Sequence, residues 1–340
     1  MPKFRVGING VGRIGRTILR EYLLRAKESK VSDLEIVALN DLGDLNVHTH
    51  LLKFDSVHGT FPGEVKYENG NLHIDNKTLK FYSHKDPAQI PWADHKVDIV
   101  IDSTGIFKDK EGLGLHRRGS VQKVIMCAPG KGLDGTFVIG INHQTYDPKK
   151  HHIISNASCT TNCLAPVAKV LNDRWGIENG FMLTIHAYTS DQTLLDGYHS
   201  DVRRGRAASL SMIPTTTGAA KSVGEVIPEL KGKLDGYAVR VPTPDVSMVD
   251  FTAVLKKPAS KDDINAAMKE ASETHLKGIL AYNNLELVSQ DFIRNRHSSI
   301  FDATLTNVLG NTVKVAAWYD NEIGFSNRVL DLALLLGAKL

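Results

Sequence analysis

Short apolar runs, separated by stretches with helical periodicity, fill the first half of this sequence. Residues 13–27 repeat apolar positions three and four residues apart, which predicts an amphipathic helix. The apolar runs are continuous enough to be strands covered on both faces, as in parallel sheets. They lie at residues 4–9, 35–40, 98–102, 123–127, 137–142 and 152–155. Strand, helix and strand in this order predict a doubly wound α/β sheet.

The second half of the chain follows a different pattern. Its β-like segments are longer and alternate apolar with polar residues, which is typical of antiparallel strands. These segments lie at residues 181–188, 237–241, 248–255 and 312–319, and helices are predicted over 160–175, 261–276 and 326–336. Residues 189–212 form a long polar loop with three arginines, and such loops inside a compact domain are usually functional. The pattern predicts an α+β domain with a mainly antiparallel sheet.

Two local signals add to this outline. Residues 60–83 alternate around Asn69-Gly70-Asn71, which predicts a β-hairpin with a tight turn. The change of pattern near Ser158 places a domain boundary there.

Composition narrows the class of protein. Of 340 residues, 42% are hydrophobic and the net charge is only +3, so the chain can bury cores and lacks the basic stripe of a dedicated nucleic-acid-binding protein. No apolar run reaches the ~18–20 residues of a membrane-spanning helix, and the first residues do not resemble a signal peptide. Three unpaired-looking cysteines predict reduced thiols and a cytoplasmic location. No metal is expected, because no histidine or cysteine spacing typical of a metal site occurs.

A glycine-rich turn follows the first predicted strand and opens the first predicted helix. Gly10, Gly12 and Gly15 have the spacing G-x-G-x-x-G. In this motif the first glycine permits the tight turn, the second lets a pyrophosphate approach, and the third lets the helix pack closely. Asp41 ends the next strand, where a carboxylate accepts hydrogen bonds from an adenosine ribose and repels a 2′-phosphate. This context predicts a Rossmann domain that binds NAD in preference to NADP.

Cys159 lies in a polar segment that joins a predicted strand to a predicted helix. The dipole of a helix N-terminus stabilises a thiolate, so we expect a lowered pKa for this thiol. His186 ends an apolar strand beside the polar loop, which makes it a candidate general base. Cys163 and Cys127 lie in apolar surroundings and are expected to be structural.

These motifs are part of a longer pattern. Residues 155–163, Ser-Asn-Ala-Ser-Cys-Thr-Thr-Asn-Cys, resemble the signature of the phosphorylating glyceraldehyde-3-phosphate dehydrogenases, and the resemblance extends over essentially the whole chain. Further matching segments lie at residues 186–189, 213–221, 240–244 and 318–322. The resemblance implies NAD-dependent oxidation and phosphorylation of glyceraldehyde 3-phosphate to 1,3-bisphosphoglycerate, in glycolysis or gluconeogenesis, by a homotetramer. It also implies an NAD-binding domain over 1–158, joined by a C-terminal helix at 323–340, and a catalytic domain over 159–322.

The resemblance implies a role for each matching side chain. Cys159 attacks the aldehyde and His186 takes the proton. The residues implied to contact NAD are Gly10, Gly12, Arg13, Ile14, Asp41, Thr104 and Asn321, of which Asn321 orients the nicotinamide carboxamide. Those implied to bind the substrate's own phosphate are Thr189, Asp191 and Arg240. Those implied to bind the attacking inorganic phosphate are Ser158, Thr160, Thr217, Gly218 and either Arg203 or Arg204.

Three alternatives remain. Erythrose-4-phosphate dehydrogenase is a sister enzyme that segments 196–199 and 206–209 resemble, although Thr189 and the run 217–221 favour glyceraldehyde 3-phosphate. A non-catalytic nucleotide- or RNA-binding protein of the same fold would be indicated by the loss of Cys159, His186 or an arginine, and none is lost. A cysteine hydrolase leaves the glycine turn and Asp41 without a function.

Overall fold

In the computed structural model, which describes residues 3–340, contacts divide the chain into two compact units. The first contains the residues through Phe137, together with Thr145–Ala157 and Ser326–Leu340. The second contains Val138–Gln144 and Ser158–Phe325. After a short first passage at Val138–Gln144, the chain returns to the second unit at Ser158, immediately before Cys159.

A nine-stranded sheet forms the centre of the first unit. Its strands are β1 (Phe4–Asn9), β2 (Leu34–Asn40), β3 (Val65–Glu68), β4 (Asn71–Ile74), β5 (Lys77–Tyr82), β6 (Ile99–Asp102), β7 (Lys123–Met126), β8 (Gly135–Thr136) and β9 (Ile153–Ser155). The order is β3-β4-β5-β2-β1-β6-β7-β9-β8. Pairing is antiparallel among β3, β4 and β5 and parallel elsewhere. Because β1 lies between β2 and β6, its carboxyl end is a topological switch point, where open α/β sheets bind ligands.

The helices and turns of this unit follow from local sequence. The helices are α1 (Arg13–Lys27), α2 (Leu45–Lys53) and α3 (Lys110–Gly114). One face of α1 buries Ile18 and Leu19, as its periodicity predicted. Between β3 and β4, Asn69 and Gly70 both have positive φ, at 51° and 72°. This is the geometry of a type I′ hairpin turn, so the predicted hairpin is confirmed.

A seven-stranded sheet forms the centre of the second unit. Its strands are β10 (Ile177–Ala187), β11 (Ile213–Thr216), β12 (Leu234–Val241), β13 (Ser247–Leu255), β14 (Leu280–Asn283), β15 (Ser299–Leu309) and β16 (Thr312–Tyr319), in the order β11-β12-β10-β13-β16-β15-β14. The helices of this unit are α4 (Cys159–Trp175), α5 (Ala219–Val226) and α6 (Lys261–Glu273), and the last helix, α7 (Ile323–Gly337), belongs to the first unit from Ser326 onward. Helix α4 packs on β13, β15 and β16, which fixes the position of Cys159 at its first turn.

Short 3₁₀ turns complete the described chain. They lie at Pro87–Gln89, Trp92–His95, His143–Thr145, Pro228–Leu230 and Ser289–Phe292. Within residues 3–340, none of the helices combines the length and the apolar character that crossing a membrane requires.

Two sequence predictions about the sheets are wrong. Residues 137–142 are not a strand: the N–H groups of Ile141 and Asn142 both donate to the carbonyl of Val138, and Gly140 has φ +88°. Val138 and Ile141 are buried in this turn, and a short apolar run does not distinguish such burial from a strand. The second error concerns β10 and β12, which pair in parallel although both alternate in the manner of antiparallel strands.

Some elements escaped prediction altogether. They are α2, α3, α5, β8, β11, β14 and β15 together with the 3₁₀ turns. Several are short, and the segments that form β14 and β15 carry polar residues that weakened their periodicity. The second sheet is accordingly mixed, with parallel pairs β10–β12 and β14–β15 and antiparallel pairs elsewhere.

Candidate active site

The glycine turn of the first unit has a distinct steric reason for each glycine. Gly10 has φ +90°, and a Cβ there would lie 2.8 Å from the backbone nitrogen of Thr104. A Cβ at Gly15 would lie 2.0 Å from the carbonyl oxygen of Gly10. At Gly12, by contrast, a Cβ would meet no described atom within 4 Å. The first and third glycines therefore shape the turn, and the second leaves open space that a ligand can approach.

The start of α1 presents backbone rather than side chains. Gly12 is its N-cap and contributes no side-chain hydrogen bond. The guanidinium of Arg13 is paired with Asp55, at 2.7 Å and 3.2 Å. Arg13 and Ile14 can therefore offer their N–H groups to an anion, and the positive end of the helix dipole favours such binding. A pyrophosphate fits this turn, because the backbone is free to approach and the space above Gly12 is open.

Asp41 lies beside this turn and its carboxylate accepts three hydrogen bonds. Oδ2 accepts from the N–H of Val11 at 2.7 Å. Oδ1 accepts from the N–H of Gly43 at 2.8 Å and from Nε2 of His48 at 3.0 Å. Burial alone would raise the pKa of Asp41, but the hydrogen bonds from His48, Gly43 and Val11 outweigh it and hold that pKa well below its usual value. The residue is a fixed anion.

Thr104 is held by a buried carboxylate at the end of β6. Its N–H and its hydroxyl both donate to Oδ1 of Asp102, at 3.1 Å and 2.8 Å. The other oxygen of Asp102 accepts from Nδ2 of Asn9 at 2.8 Å and faces Nε2 of His116 at 3.2 Å. Thr104 is therefore fixed against Gly10 of the glycine turn.

In the second unit, the predicted nucleophile and base are in contact. Sγ of Cys159 lies 3.6 Å from Nε2 of His186. Cys159 opens α4, whose N-cap is Ser158, and His186 lies near the end of β10. The ring of His186 also packs edge-on against Tyr319, with centroids 5.9 Å apart. A side chain 27 positions along the sequence thus completes a thiol–imidazole pair.

The surroundings of His186 indicate which ring nitrogen is free. Nδ1 lies 2.7 Å from the carbonyl oxygen of Ala187, which only accepts hydrogen bonds. Nδ1 therefore carries the proton, and Nε2 presents its lone pair to Cys159. This is the tautomer that a general base acting on the thiol needs.

Arg240 is the charged neighbour of this pair. Strands β10 and β12 pair in parallel with His186 opposite Arg240. Nη1 of Arg240 lies 3.1 Å from Nδ1 of His186 and donates to the carbonyl of Ala187 at 3.2 Å and to Oγ1 of Thr189 at 3.3 Å. Among the described residues no carboxylate pairs with Arg240, and its buried Nε has no hydrogen-bond partner. A half-buried guanidinium without an anion is a strong candidate for binding a phosphate.

The pKa shifts of the pair differ from the sequence prediction. Burial raises the pKa of the Cys159 thiol and outweighs the lowering by Arg240 and by hydrogen bonds from Thr160. Burial, followed by the charge of Arg240, lowers the pKa of His186 to about 3. Without a bound anion, both groups are therefore neutral. The prediction of a lowered thiol pKa is wrong for this state, because desolvation exceeds the effect of the helix dipole.

A second cation, Arg204, lies on the long loop. It donates to Asp191 through Nη1, to Oγ1 of Thr215 through Nε at 2.9 Å, and to the carbonyl of Thr216 at 3.3 Å. Its charge contributes to lowering the pKa of both His186 and Arg240. Arg203, the adjacent residue, has an exposed side chain. The structure therefore brings Arg204 towards the thiol–imidazole pair and leaves Arg203 at the surface.

The polar residues around Cys159 have structural hydrogen bonds. Oγ of Ser158 accepts from the N–H of Thr161 at 3.0 Å and so caps α4. The hydroxyl of Thr160 lies 2.8 Å from that of Tyr319, which lies 2.8 Å from that of Thr184. The proposed anion-binding roles of Ser158 and Thr160 thus have to be compatible with these bonds.

The remaining predicted residues lie at element ends of the second unit. Oγ1 of Thr217 accepts from the N–H of Ala219 at 3.2 Å, and Gly218 is the N-cap of α5. Asn321 lies two residues after the end of β16, and its Oδ1 accepts from the hydroxyl of Ser247 at 2.8 Å. The anion-binding and cofactor-binding roles of these residues stay predictions.

Comparison with known proteins shows the family to which this chain belongs. Family models for glyceraldehyde 3-phosphate dehydrogenase match residues 4–110, as the NAD binding domain, and residues 158–321, as the C-terminal domain. The chain belongs to the glyceraldehyde-3-phosphate dehydrogenase family. The family match confirms the predicted fold class, NAD as the cofactor, and an NAD-dependent dehydrogenase of this family.

Curated relatives match over nearly the full length. The chain is 53% identical to glyceraldehyde-3-phosphate dehydrogenase 2 of Trichormus variabilis over 337 residues, which are 98% of this chain and 99% of that protein. It is 52% identical to the enzyme of Geobacillus stearothermophilus, covering 98% of each chain. It is 53% identical to the enzyme of Mycolicibacterium smegmatis, covering 99% of each chain.

Three residues of the two sites were not found from the sequence. His48 contacts Asp41, Tyr319 bridges Thr160 and Thr184, and Ser247 contacts Asn321. His48 and Ser247 are common polar residues with no spacing relative to a motif that would single them out, and Tyr319 lies in the matched segment 318–322 without an implied role of its own. Only the folded arrangement identifies them.

Proposed function

We propose that this protein catalyses the oxidation and phosphorylation of glyceraldehyde 3-phosphate to 1,3-bisphosphoglycerate, with Cys159 as nucleophile and His186 as base. The observation that carries the proposal is the triad of Cys159, His186 and Arg240. The imidazole of His186 connects the other two groups: its Nε2 lies 3.6 Å from the thiol of Cys159, and its Nδ1 lies 3.1 Å from Nη1 of Arg240. Such a site suits an aldehyde that carries a phosphate.

The first half-reaction uses the free lone pair of His186. Sγ of Cys159 bonds to the aldehyde carbon, and the thiol proton passes through Nε2 to the carbonyl oxygen, which gives a thiohemiacetal. Nε2 then removes the hydroxyl proton while the carbon gives up its hydrogen with the bonding electrons. Bound NAD supplies the chemistry of accepting that hydride. The product on Cys159 is a thioester.

The second half-reaction returns Cys159 to its starting state. An oxygen of inorganic phosphate bonds to the thioester carbon, the carbon–sulfur bond breaks, and the sulfur leaves as a thiolate that imidazolium reprotonates. We assign the substrate's own phosphate to Arg240, Thr189 and Asp191. We assign the attacking phosphate to Arg204, with Ser158, Thr160, Thr217 and Gly218. The effect of the Arg204 charge on the pKa of His186 and the exposure of Arg203 support Arg204 rather than Arg203 as the second cation.

Substrate binding would also change the base. The charge of Arg240 is the second cause, after burial, of the low pKa of His186. A phosphate paired with Arg240 offsets that charge, so the pKa of His186 rises when the substrate binds. The imidazole therefore becomes a stronger base when its substrate is present.

For the cofactor domain we propose that Gly10, Gly12, Arg13 and Ile14 hold the NAD pyrophosphate. Asp41 accepts from the adenosine ribose, Thr104 lies beside the cofactor, and Asn321 donates to the nicotinamide carboxamide. The open space at Gly12 and the positive end of the α1 helix dipole support this assignment. We place the enzyme in the cytoplasm, in line with its three free cysteines.

We further propose that the protein is a homotetramer. Large apolar side chains of the loop between β10 and β11 are exposed, among them Tyr198 at 98%, Val202 at 82% and Leu194 at 75%. Phe181 and Leu309 on the second sheet are exposed as well. Clusters of this kind mark surfaces that other chains cover. Light scattering coupled to size exclusion should give about four times the 37.4 kDa chain mass, and a monomer would contradict the proposal.

The activity is tested by NADH absorbance with matched substrates. We expect turnover with glyceraldehyde 3-phosphate, NAD and phosphate together, and a single burst of NADH when phosphate is left out. Erythrose 4-phosphate serves as the comparison aldehyde and should react more slowly. Turnover without phosphate, or a preference for erythrose 4-phosphate, would contradict the proposed reaction.

A further inference from the structure

We propose that Ser247 is a positioning residue that fixes the orientation of the Asn321 side-chain amide, so that Asn321 presents N–H donors to the carbonyl of the nicotinamide carboxamide. This inference rests on the proposed contact between Asn321 and the cofactor. It adds the residue that determines whether that contact is made by a donor or by an acceptor.

Three groups of the second unit form a directed hydrogen-bond chain. The backbone N–H of Ala187 donates to Oγ of Ser247 at 3.0 Å. The hydroxyl of Ser247 donates to Oδ1 of Asn321 at 2.8 Å. Ser247 is 1% exposed and Asn321 5%, so water does not compete freely for either group. This series of hydrogen bonds is therefore protected from solvent.

The direction of this chain follows from its first member. A backbone N–H can only donate, so Oγ of Ser247 must accept from Ala187. The hydroxyl proton of Ser247 then needs an acceptor, and the carbonyl oxygen of the Asn321 amide is the acceptor within reach. The reversed amide would point its NH₂ group at Ser247 and leave the hydroxyl proton buried without a partner. An unsatisfied buried donor is costly, so one amide orientation is strongly favoured.

Fixing Oδ1 leaves Nδ2 as the end of Asn321 that faces a ligand. Within the described chain, Nδ2 has no hydrogen-bond partner, although the amide oxygen does. A primary amide with its oxygen fixed can offer only N–H donors at its other end. These donors match a carbonyl oxygen, and they reject an NH₂ group in the same place. Ser247 thereby favours one of the two orientations of the nicotinamide carboxamide, the one that points its carbonyl oxygen at Asn321.

Ala187 connects this chain to the general base. Its carbonyl accepts from Nδ1 of His186 at 2.7 Å, and its N–H begins the chain through Ser247. One peptide segment at the end of β10 therefore fixes both the tautomer of His186 and the polarity of Asn321. The strand end positions the base and the amide relative to each other before any ligand arrives.

The test compares two cofactors that differ in one atom. Thionicotinamide adenine dinucleotide has a sulfur in place of the carboxamide oxygen, and sulfur is the weaker acceptor. Affinities of both cofactors are measured by calorimetry for the native tetramer and for Ser247→Ala, Ser247→Cys and Asn321→Ala. The native protein should bind NAD more tightly than the thio analogue. Ser247→Ala should bind NAD about five- to tenfold more weakly, which is the effect expected for one hydrogen bond, and should lose most of the preference for NAD over the analogue.

Two controls separate this inference from the proposed function. Asn321→Ala should lose NAD affinity and preference, and adding Ser247→Ala to it should cause little further loss. Normal NAD binding by Asn321→Ala would overturn the proposed contact itself. If Asn321→Ala weakens NAD while Ser247→Ala keeps both the affinity and the preference, the role of Ser247 is overturned and the contact stands.

The alanine variant also removes a partner of Ala187, so its fold and base must be checked. Thermal unfolding reports the fold, and the rate of Cys159 alkylation reports the position of His186. Ser247→Cys fills the same space with a weaker donor and replaces the alanine variant if that variant does not fold. Its cofactor preference should lie between native and Asn321→Ala, and a preference equal to native would count against the inference.

Discussion

The two proposed ligand-binding regions of this protein differ in whether their charged side chains already have partners before a ligand binds. The glycine turn offers backbone N–H groups, and the charged side chains around it already have partners: Arg13 pairs with Asp55, and Asp41 accepts three hydrogen bonds. At the thiol–imidazole pair, Arg240 is half-buried, has no carboxylate partner among the described residues, and has a buried Nε without a hydrogen-bond partner. After burial, its charge is the second cause of the low pKa of its neighbour His186.

This difference indicates how each region binds. We expect the turn to recognise its ligand by shape and by the helix dipole, so binding should change the turn little. The catalytic region contains an uncompensated cation, so an anion should both bind tightly there and change the chemistry of its neighbours. Substitutions should therefore have large, step-specific effects in the second region and modest effects on affinity in the first.

The largest effect is expected at the nucleophile. Cys159→Ser should reduce dehydrogenase turnover by roughly 10³-fold or more, because a hydroxyl at this position lacks the nucleophilicity of sulfur. NAD affinity should stay near native, since the glycine turn is unchanged. NADH formation and calorimetry measure the two properties. In native protein, iodoacetamide should label Cys159 before the buried Cys163, and equal labelling would contradict the assignment.

The next effect is expected at the base. His186→Asn should slow acylation of Cys159 by roughly 10²–10⁴-fold, the usual range for lost general-base catalysis. Rapid-mixing measurements of the NADH burst give this rate. The pH profile of Cys159 alkylation should also change, because Nε2 of His186 lies 3.6 Å from the sulfur. An unchanged profile would show that the contact has no chemical consequence.

The same contrast explains what the sequence could predict. Gly10, Gly12 and Gly15 lie within six positions, so spacing alone carries their geometry. His186 and Arg240 are 54 positions apart and meet only because β10 and β12 pair in parallel. The alternation of these strands predicted antiparallel pairing, and periodicity does not report which strands are neighbours. Motifs of a known family, and not the pattern, identified Arg240.

The pKa of Cys159 shows a second limit of prediction. The helix N-terminus was visible in the sequence, and α4 does begin at Cys159. Burial of the thiol was not visible, and burial is the larger effect. Sequence patterns reveal local dipoles, whereas desolvation depends on residues such as Tyr319, which lies 160 positions away in the sequence.

The two cations sharpen the comparison by separating the reaction steps. Arg240→Leu should weaken substrate binding and slow the NADH burst by about 10- to 150-fold, the cost of a lost charge-assisted hydrogen bond. Arg204→Leu should leave the burst and slow the phosphate-dependent turnover that follows it. Arg203→Leu is the matched control, because its exposed side chain should change neither step. A slow burst in the Arg204 variant with a normal burst in the Arg240 variant would reverse the assignment.

Arg240→Leu also has a consequence for pH. Burial and, after it, the charge of Arg240 lower the pKa of His186 to about 3. Because the charged neighbour disfavours imidazolium, its removal should raise that pKa towards the ordinary value of about 6.5. Titration of the His186 ring by NMR measures the shift. Inorganic phosphate added to native protein should raise the same pKa, and a pKa unaffected by phosphate would contradict the pairing of Arg240 with an anion.

The smallest effects are expected at the proposed ribose site beside the glycine turn, where the side chains already have partners. Asp41→Ala should weaken NAD binding about tenfold and reduce the difference in affinity between NAD and NADP, because the ribose hydrogen bonds and the repulsion of a 2′-phosphate disappear together.

His48→Leu should change the cofactor preference in the opposite direction. Nε2 of His48 occupies one lone pair of Oδ1, and Gly43 occupies the other. Removing His48 frees an acceptor for a ribose hydroxyl and leaves the charge of Asp41 less compensated. We expect a shift of about two- to fivefold in favour of NAD over NADP, in line with one modest hydrogen bond. Calorimetry with both cofactors measures the ratio, and His48→Gln, whose amide can still donate to Asp41, should stay near native. If His48→Leu instead weakens NAD binding as much as Asp41→Ala does, then His48 holds the Asp41 carboxylate in place. The glycine-turn region would then depend on a side-chain contact, as the thiol–imidazole region does.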